Sequence, residues 1–267
     1  MFSIGQVTKG RYTVSFRNSD GLRLVGDLWP AGPDAVVLAH GFTSDRRSRG
    51  RFPRIARELA GSGYTALTFD FAGCGDSDDA VLTLEGQVAD LRTAVRFLRE
   101  RGYRVSALHG HSLGSLICLH CADERPATMV LTGAGPGAMH YDWSQLYDGE
   151  RLKHLERTGI LPAPVDVEHP SRDTVLVSGS LLDAFARVDQ KRLLRQVSCP
   201  VLLMHGDDPT DGEEQQLLAH SRRALPLLPQ GSRLHLLHGV GHSLLGRIKE
   251  LAKAEVEWLK AIVGTKK

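Results

Sequence analysis

The chain has 267 residues, and its 33 Lys and Arg against 31 Asp and Glu give a formal net charge of only +2. So small a charge gives no reason to expect a nucleic-acid partner or an anionic membrane partner. The length suits one α/β domain with an insertion, or two small domains. The apolar and charged fractions, 42% and 24%, are typical of a soluble globular protein.

Segments that could direct the chain to a membrane or a secretory route are not evident. No apolar run approaches the roughly 18 residues of a membrane span, and residues 1–10 lack the apolar core of a signal peptide. The four cysteines, Cys74, Cys118, Cys121 and Cys199, are too few for a disulfide framework. We therefore expect reduced thiols in a cytoplasmic protein, with the C-x-x-C pair interpreted as small core residues of a helix.

Apolar runs and helical periodicities alternate along the chain. The predicted strands are Tyr12–Phe16, Leu22–Leu28, Ala35–Ala39, Tyr64–Phe69, Val105–Leu108, Thr128–Leu131, Val201–Met204 and Leu234–Leu237. The predicted helices are Phe52–Leu59, a Thr83-capped helix to about Arg101, one from Leu113 to about Cys121, Glu213–Leu225 and Gly246–Ile262. This alternation predicts an α/β fold, a mainly parallel sheet with helices on both faces and an N-terminal antiparallel hairpin at one edge.

The periodicity is interrupted once, between residues 136 and 196, where prolines cluster and the patterns are short. We expect an inserted cap of small helices and loops there. The predicted core domain is thus formed by residues 1–135 and 197–267, with 136–196 as a cap subdomain.

The sequence around Ser112 has the pattern G-x-S-x-G, formed with Gly110 and Gly114. A strand precedes it and a helix follows it, so Ser112 falls in a tight turn at a helix N-terminus. A serine between glycines also occurs in ordinary turns. The strand–turn–helix context favours an exposed nucleophile, because the helix N-terminus stabilises the negative charge that develops during acyl transfer.

Polar clusters follow the predicted strands at several points. They are His40-Gly41-Phe42, Asp70 to Asp78, Ser112, Asp207 to Asp211 and His242. Sites in parallel sheets form at the carboxyl ends of strands, so these clusters should converge.

With these residues in view, the chain resembles the α/β-hydrolase superfamily over nearly its whole length, because Ser, Asp and His follow one another in that family's order. The segments Phe69–Asp78 and His40–Phe42 are similar to those of bacterial feruloyl or cinnamoyl esterases. The resemblance implies an α/β-hydrolase fold and a serine esterase. Its expected reaction is cleavage of carboxylic esters, including aromatic or hydroxycinnamoyl esters.

Ser112 needs a base, and the resemblance implies His242, in a glycine-flanked loop after the last strand. His238 is the nearest rival, whereas His40 and His205 are interpreted as structural residues whose rings bond nearby backbone. His111 is expected to pack against the turn.

At the expected acid partner of His242, the chain departs from the family pattern H-G-x-x-D-x-x-V. Pro209 occupies the position of the acid, and no valine follows. A one-residue deletion aligns Asp208 with the acid, so the expected triad is Ser112, Asp208 and His242. Asp211 and then Asp207 remain alternatives.

The backbone N–H of Leu113 should form one half of an oxyanion hole, and by resemblance that of Phe42 forms the other. Tyr141, Trp143 and Tyr147 lie in the predicted cap. They could contact an aromatic substrate or simply pack the cap onto the core.

The sequence thus predicts acyl-enzyme chemistry on Ser112 with a small-molecule ester, and it implies no metal or organic cofactor. Thioester or peptide cleavage on the same residues is the enzyme alternative, and a non-catalytic ligand-binding protein is the other. A haloalkane dehalogenase is disfavoured, because its nucleophile would be an aspartate. The oligomeric state stays open, a homodimer included.

Overall fold

The computed structural model describes residues 7–8 and 10–264 of the chain. Most of residues 1–10, on which the expectation about a signal peptide rests, lie outside the described residues. Across the described part of the chain, no helix combines the length and apolar character needed to cross a membrane.

The strands in chain order are β1 (Val7–Thr8), β2 (Arg11–Arg17), β3 (Arg23–Trp29), β4 (Asp34–Ala39), β5 (Thr65–Phe69), β6 (Val81–Leu82), β7 (Arg104–His111), β8 (Thr128–Thr132), β9 (Ile160–His169), β10 (Arg172–Ser178), β11 (Val201–Gly206) and β12 (Arg233–Leu237). The α-helices are α1 (Arg51–Gly61), α2 (Leu84–Arg99), α3 (Leu113–His120), α4 (Trp143–Leu146), α5 (Gly149–Thr158), α6 (Gly179–Ala186), α7 (Gln190–Leu194), α8 (Gly212–Ala224) and α9 (Ile248–Ile262).

The main sheet has the strand order β1-β2-β3-β5-β4-β7-β8-β11-β12. From β5 to β12 every neighbouring pair is parallel, whereas β1, β2 and β3 join one edge in antiparallel fashion. The predicted fold, a mainly parallel sheet with an antiparallel hairpin at its edge, is therefore confirmed.

Helices cover both faces of this sheet, which explains why the central strands are continuously apolar. On β4, Val36 and Leu38 face one core, which includes Phe52 of α1. Val37 faces the other core, which includes Leu91 of α2. Burial on both faces makes the strands rigid, so the loops at their carboxyl ends are held in fixed positions.

The insertion between β8 and β11 differs from the expected helices and loops. It contains a β-hairpin, β9 and β10, and this hairpin joins β6 in a separate sheet with the order β6-β10-β9. Pro162 and Pro164 lie inside β9. Proline is tolerated there because β9 is an edge strand within the described sheet, so the absent N–H groups need no partner. The clustered prolines are therefore compatible with a strand. The expectation that the insertion consists of small helices and loops is wrong for β9 and β10.

The turn between β7 and α3 has the sharp geometry that G-x-S-x-G predicts. Ser112 has φ 53° and ψ −123°, a backbone region that non-glycine residues rarely adopt. A Cβ at Gly114 would lie 2.1 Å from the carbonyl oxygen of Ala39, and one at Gly110 would lie 2.4 Å from that of Gly114. Only glycine lets α3 approach the neighbouring strand so closely.

We expect Gly114→Ala to destabilise the protein by about 3 kcal/mol or more, because a backbone oxygen blocks the new methyl group. Gly61→Ala, at the end of α1, is the matched control, since beyond its chain neighbours and its own helix backbone no heavy atom lies within 4 Å of the added Cβ. It should change stability by no more than about 1 kcal/mol, on the stabilising side. Urea unfolding of the two variants measures the difference. Equal midpoints would contradict the close approach at Gly114.

Candidate active site

Ser112 and His242 come together at the carboxyl edge of the main sheet. Ser112 lies between β7 and α3, and His242 lies on the loop after β12. His242 Nε2 is 3.0 Å from Ser112 Oγ, within hydrogen-bond distance. The structure thus places the expected nucleophile beside the expected base.

The group at the other nitrogen of His242 is Glu214, not Asp208. Glu214 Oε2 lies 2.7 Å from His242 Nδ1. Glu214 Oε1 accepts a hydrogen bond of 2.9 Å from the backbone N–H of Gly206, and it lies 2.9 Å from His205 Nδ1. The carboxylate is fully buried. It therefore orients His242, and the expected Ser112–Asp208–His242 arrangement is corrected to Ser112–His242–Glu214.

The three aspartates considered as acids have other contacts. Asp208 Oδ1 accepts bonds from the backbone N–H and hydroxyl of Thr210, two residues along its own loop. Its short side chain is occupied by that local turn. Asp207 contacts His238, the rival base, at 2.5 Å between Oδ2 and Nδ1. Neither Asp207 nor Asp208 contacts the imidazole of His242 in these hydrogen bonds.

Asp211 lies closer to the site, but it contacts backbone atoms. Its Oδ1 accepts from the N–H of Glu214 at 3.0 Å and caps α8, and its Oδ2 accepts from the N–H of His242 at 2.8 Å. Asp211 therefore holds the backbone of the loop after β12, which carries His242, whereas Glu214 holds the imidazole ring of His242.

The sequence does contain a signal for Glu214. The residues Asp211-Gly-Glu-Glu214 have the D-x-x-E spacing of a helix start. In a capping box the glutamate bonds back to the cap N–H. Here it points toward the sheet instead, because two histidines and an amide at the end of β11 and after β12 provide stronger partners. The family pattern favours loop aspartates as the acid, and so it does not indicate the first turn of this helix.

His205 also has a different environment from the one expected. Its ring contacts side chains rather than backbone. Nε2 lies 2.8 Å from Ser221 Oγ, and Nδ1 lies 2.9 Å from Glu214 Oε1. His40 does match the expectation, since its Nδ1 lies 2.9 Å from the carbonyl of Gly41 and its Nε2 accepts from the N–H of Phe71.

The charges of the site follow from these contacts. Burial alone would raise the pKa of Glu214, but the hydrogen bonds and charges of His205 and His242 outweigh it and lower the pKa to about 2. Burial likewise opposes protonation of His242, but its hydrogen bond to Glu214 and the Glu214 charge raise the pKa above its ordinary value of 6.5. An ionised Glu214 must accept, so Nδ1 of His242 carries the proton and Nε2 is free to accept one from Ser112.

Two amide groups lie where the expected oxyanion hole would form. Leu113 is the first residue of α3, so its N–H has no partner within the helix. A Cβ at Gly41 would lie 3.2 Å from the Cβ of Ser112, which brings the Phe42 loop against the serine. Among the described residues, no acceptor contacts the amide of Phe42 or Leu113. Both are available to a ligand.

A large cavity of about 510 Å³ opens at Ser112 and His242. Tyr141, Trp143 and Tyr147, the three aromatic residues singled out in the insertion, line it together with Phe42 and Phe185. The centroids of the Tyr141 and Trp143 rings are 5.0 Å apart, and those of Trp143 and Tyr147 are 6.2 Å apart. These rings form a continuous aromatic wall, in which Phe185 takes a place that no sequence motif indicates.

A second, much smaller cavity of about 20 Å³ lies on another side of Ser112. Its lining is mostly apolar and includes Leu113, Leu116, Gly135 and Leu217. Within the described residues, no cluster of three or more His, Cys, Asp or Glu could hold a metal ion.

The chain belongs to the alpha/beta hydrolase family, since that family's model matches residues 36–254. Membership supports hydrolase activity. Solved structures agree on the fold. An alpha/beta hydrolase, GrgF, from Penicillium sp. sh18 superposes with a TM-score of 0.72 at 20% identity, over 96% of this chain and 99% of that one. Est1E from Butyrivibrio proteoclasticus, solved with ferulic acid bound, superposes with a TM-score of 0.71 at 18% identity, over 92% of this chain and 98% of that one.

The esterase domain of a Rhodothermus marinus protein gives a TM-score of 0.67 at 23% identity, over 95% of this chain and 99% of that one. In sequence, the chain is 32% identical over 132 residues to the polyketide transferase ATR5 of Stachybotrys chlorohalonatus (strain IBT 40285). That match spans 46% of this chain and 44% of the relative, which is less than half of either protein.

We expect Glu214→Gln to lower kcat for an activated ester by several orders of magnitude, because a neutral amide can hold His242 in the wrong tautomer. The corresponding Asp→Asn change in a serine protease costs about 10⁴-fold in kcat for the same reason. Asp208→Asn should cost less than about tenfold, since Asp208 serves only its own turn. Circular dichroism first confirms that both variants fold, and steady-state kinetics then measures kcat for each. A large loss of kcat in Asp208→Asn, together with a nearly unchanged kcat in Glu214→Gln, would show that Asp208 is the acid.

The pH profile tests the same contact independently. Only neutral His242 can accept the proton of Ser112, so kcat/KM should rise with pH through the pKa of His242, with a midpoint above 6.5. Replacing Glu214 by Gln removes the charge that raises this pKa, so the midpoint should move to lower pH. NMR titration of His242 in Ser112→Ala, with and without Glu214→Gln, measures the shift. An unmoved midpoint would contradict the coupling.

Proposed function

We propose that the protein is a serine hydrolase that cleaves carboxylic esters through an acyl-enzyme on Ser112. The observation that carries the proposal is the continuous pair of contacts from Ser112 Oγ to His242 Nε2 and from His242 Nδ1 to Glu214, at 3.0 and 2.7 Å. These contacts open onto a cavity large enough for a substrate. The site is the arrangement that nucleophilic acyl transfer requires.

In this mechanism, His242 Nε2 takes the hydroxyl proton as Ser112 Oγ attacks the ester carbonyl. The amides of Phe42 and Leu113 donate to the oxyanion of the tetrahedral intermediate. His242 then gives its proton to the departing alcohol, and the acyl group stays on Ser112. Water attacks next, His242 accepts its proton, and the carboxylic acid leaves. Glu214 stays ionised throughout and stabilises the imidazolium.

The two cavities suggest how the ester lies in the site. The leaving alcohol must reach His242, which lines the large cavity and not the small one. A small acyl group in the apolar second cavity would place an aromatic alcohol against the wall of Tyr141, Trp143 and Tyr147. A hydroxycinnamoyl acyl group would need the large cavity instead. Esters in which either the alcohol or the acyl group is aromatic are therefore the favoured class. The insertion acts as the lid that contacts the aromatic group.

Transfer of the acyl group to an alcohol rather than to water is the second candidate. It is favoured by the partial match to a relative named as a polyketide transferase. Both reactions share the acyl-enzyme and differ only in the second nucleophile. Formation of a new ester when an alcohol is added to the assay would distinguish transfer from hydrolysis.

Ser112→Ala should abolish turnover, with a loss approaching the ~10⁶-fold found when a triad nucleophile is removed. The fold should survive, because Ser112 lies on the surface of a cavity and its loss leaves no apolar void. Labelling with a fluorophosphonate probe measures the nucleophile directly, and Ser19→Ala, in the exposed turn before β3, is the matched control. The control should label fully and Ser112→Ala not at all. Ester hydrolysis at the wild-type rate by Ser112→Ala would overturn the mechanism.

A further inference from the structure

Arg51, the first residue of α1, is a buried cation in the wall of the large cavity, with only 2% of its surface exposed. Its Nη1 donates to the carbonyl of Ser243 and to His111 Nδ1, and its Nη2 donates to Ser48 Oγ. Burial and the Arg51 charge keep the pKa of His111 well below 6.5, so that ring is neutral. All three acceptors of Arg51 are therefore uncharged.

No carboxylate of the described residues lies within 4.0 Å of the Arg51 guanidinium. The carboxylates that line the same cavity are engaged elsewhere. Asp166 pairs with Arg49, and Glu213 Oε1 accepts from the hydroxyl of Tyr141 at 2.7 Å. Asp211 accepts from the two amides already described. Arg51 is thus a buried positive charge with no carboxylate in direct contact, a costly arrangement. Burial lowers its pKa to about 10, against the opposing charges of Asp166 and Glu214, which lie farther away.

Donor groups beside this charge are unused. A guanidinium has five N–H donors, and the three contacts of Arg51 leave Nε–H and one N–H of Nη2 without an acceptor. Ser44 Oγ, in a side chain only 5% exposed that lines the same cavity, also has no partner. Both unpartnered donors, Arg51 Nε and Ser44 Oγ, are therefore buried, and both belong to side chains that line the same cavity.

We propose that the large cavity binds an ester carrying a carboxylate, and that Arg51 pairs with this carboxylate. The planar fork of Arg51 suits a carboxylate, which can accept two parallel N–H bonds, and Ser44 can donate a third. The ion pair supplies the direct carboxylate contact that Arg51 lacks. This inference rests on the proposed ester hydrolysis and narrows its substrate to acidic esters, with the aromatic wall contacting the remainder of the molecule.

The test compares esters that differ only in charge. 4-Acetoxybenzoate and 4-acetoxybenzamide vary the leaving group, whereas monomethyl succinate and methyl succinamate vary the acyl group. We expect kcat/KM to favour the acid of at least one pair by about tenfold or more, equivalent to 1.4 kcal/mol. Arg51→Gln should remove this preference. Arg49→Gln is the control, because Arg49 also lines the cavity but already pairs with Asp166, and it should keep the preference.

A purely structural role for Arg51 predicts a different result. Loss of its bonds to Ser243 and His111 would slow both members of each pair equally, and the ratio would stay at the wild-type value. That outcome, or a wild-type enzyme with no preference for either acid, would overturn the inference. If Arg51→Gln does not fold, Arg51→Lys, which keeps the charge but not the planar fork, should weaken the preference without abolishing it.

Binding separates this inference from the proposed function. Calorimetry with Ser112→Ala, which cannot turn over, should show that the acid of at least one pair binds more tightly than its amide. Arg51→Gln in the same background should equalise the two. Acid-selective binding without turnover by the wild type would refute the hydrolase and leave the carboxylate site standing. Turnover of neutral esters with no acid-selective binding would refute the carboxylate site alone.

Discussion

The carboxylate of Glu214 is fully buried, and it contacts two histidines and one backbone amide. Burying a carboxylate is costly unless each oxygen is satisfied. Here Oε1 is satisfied by His205 and Gly206, which end β11, so Oε2 is directed at His242. The ring of His242 then presents Nε2 to Ser112. The orientation of the whole site therefore depends on how β11 and the first turn of α8 hold one side chain.

This arrangement joins parts of the chain that are far apart in sequence. Ser112 follows β7, Glu214 begins α8, and His242 follows β12, and the parallel sheet brings all three to one edge. Parallel pairing fixes the strand ends relative to one another, and buried apolar residues on both faces keep the strands from shifting. The site is thus precise because it is attached to the rigid part of the fold, while the insertion supplies the aromatic wall over it.

The elements that could be predicted from sequence are those with local signals. Ser112 was identified by two glycines whose absent side chains the structure explains, and the strands were identified by continuous apolar runs. His242 followed from the family resemblance, which implies the base in the loop after the last strand. For Ser112 and the strands, the residues that determine the structure are neighbours in the chain, or lie in one repeating pattern.

Glu214 was missed because its contact with His242 is set by residues distant in sequence. The local D-x-x-E spacing that sets Glu214 apart from Glu213 indicates a helix start and not a partner for His242. In the structure Glu214 is buried against two histidines, whereas Glu213 contacts the hydroxyl of Tyr141. The hairpin of the insertion was missed for a similar reason, since the edge position that tolerates its prolines is a property of the sheet. Arg51 likewise resembles an ordinary helix residue until the cavity beside it is seen.

The contact between His242 and Glu214 can be observed directly. Proton NMR of protein labelled with ¹⁵N-histidine should show a strongly downfield proton coupled to Nδ1 of His242, because that proton is shared with a buried carboxylate. We predict that this resonance disappears in Glu214→Gln and remains in Asp208→Asn. A resonance that persists in Glu214→Gln, or that is lost in Asp208→Asn, would contradict the role of Glu214 as the acid of this site.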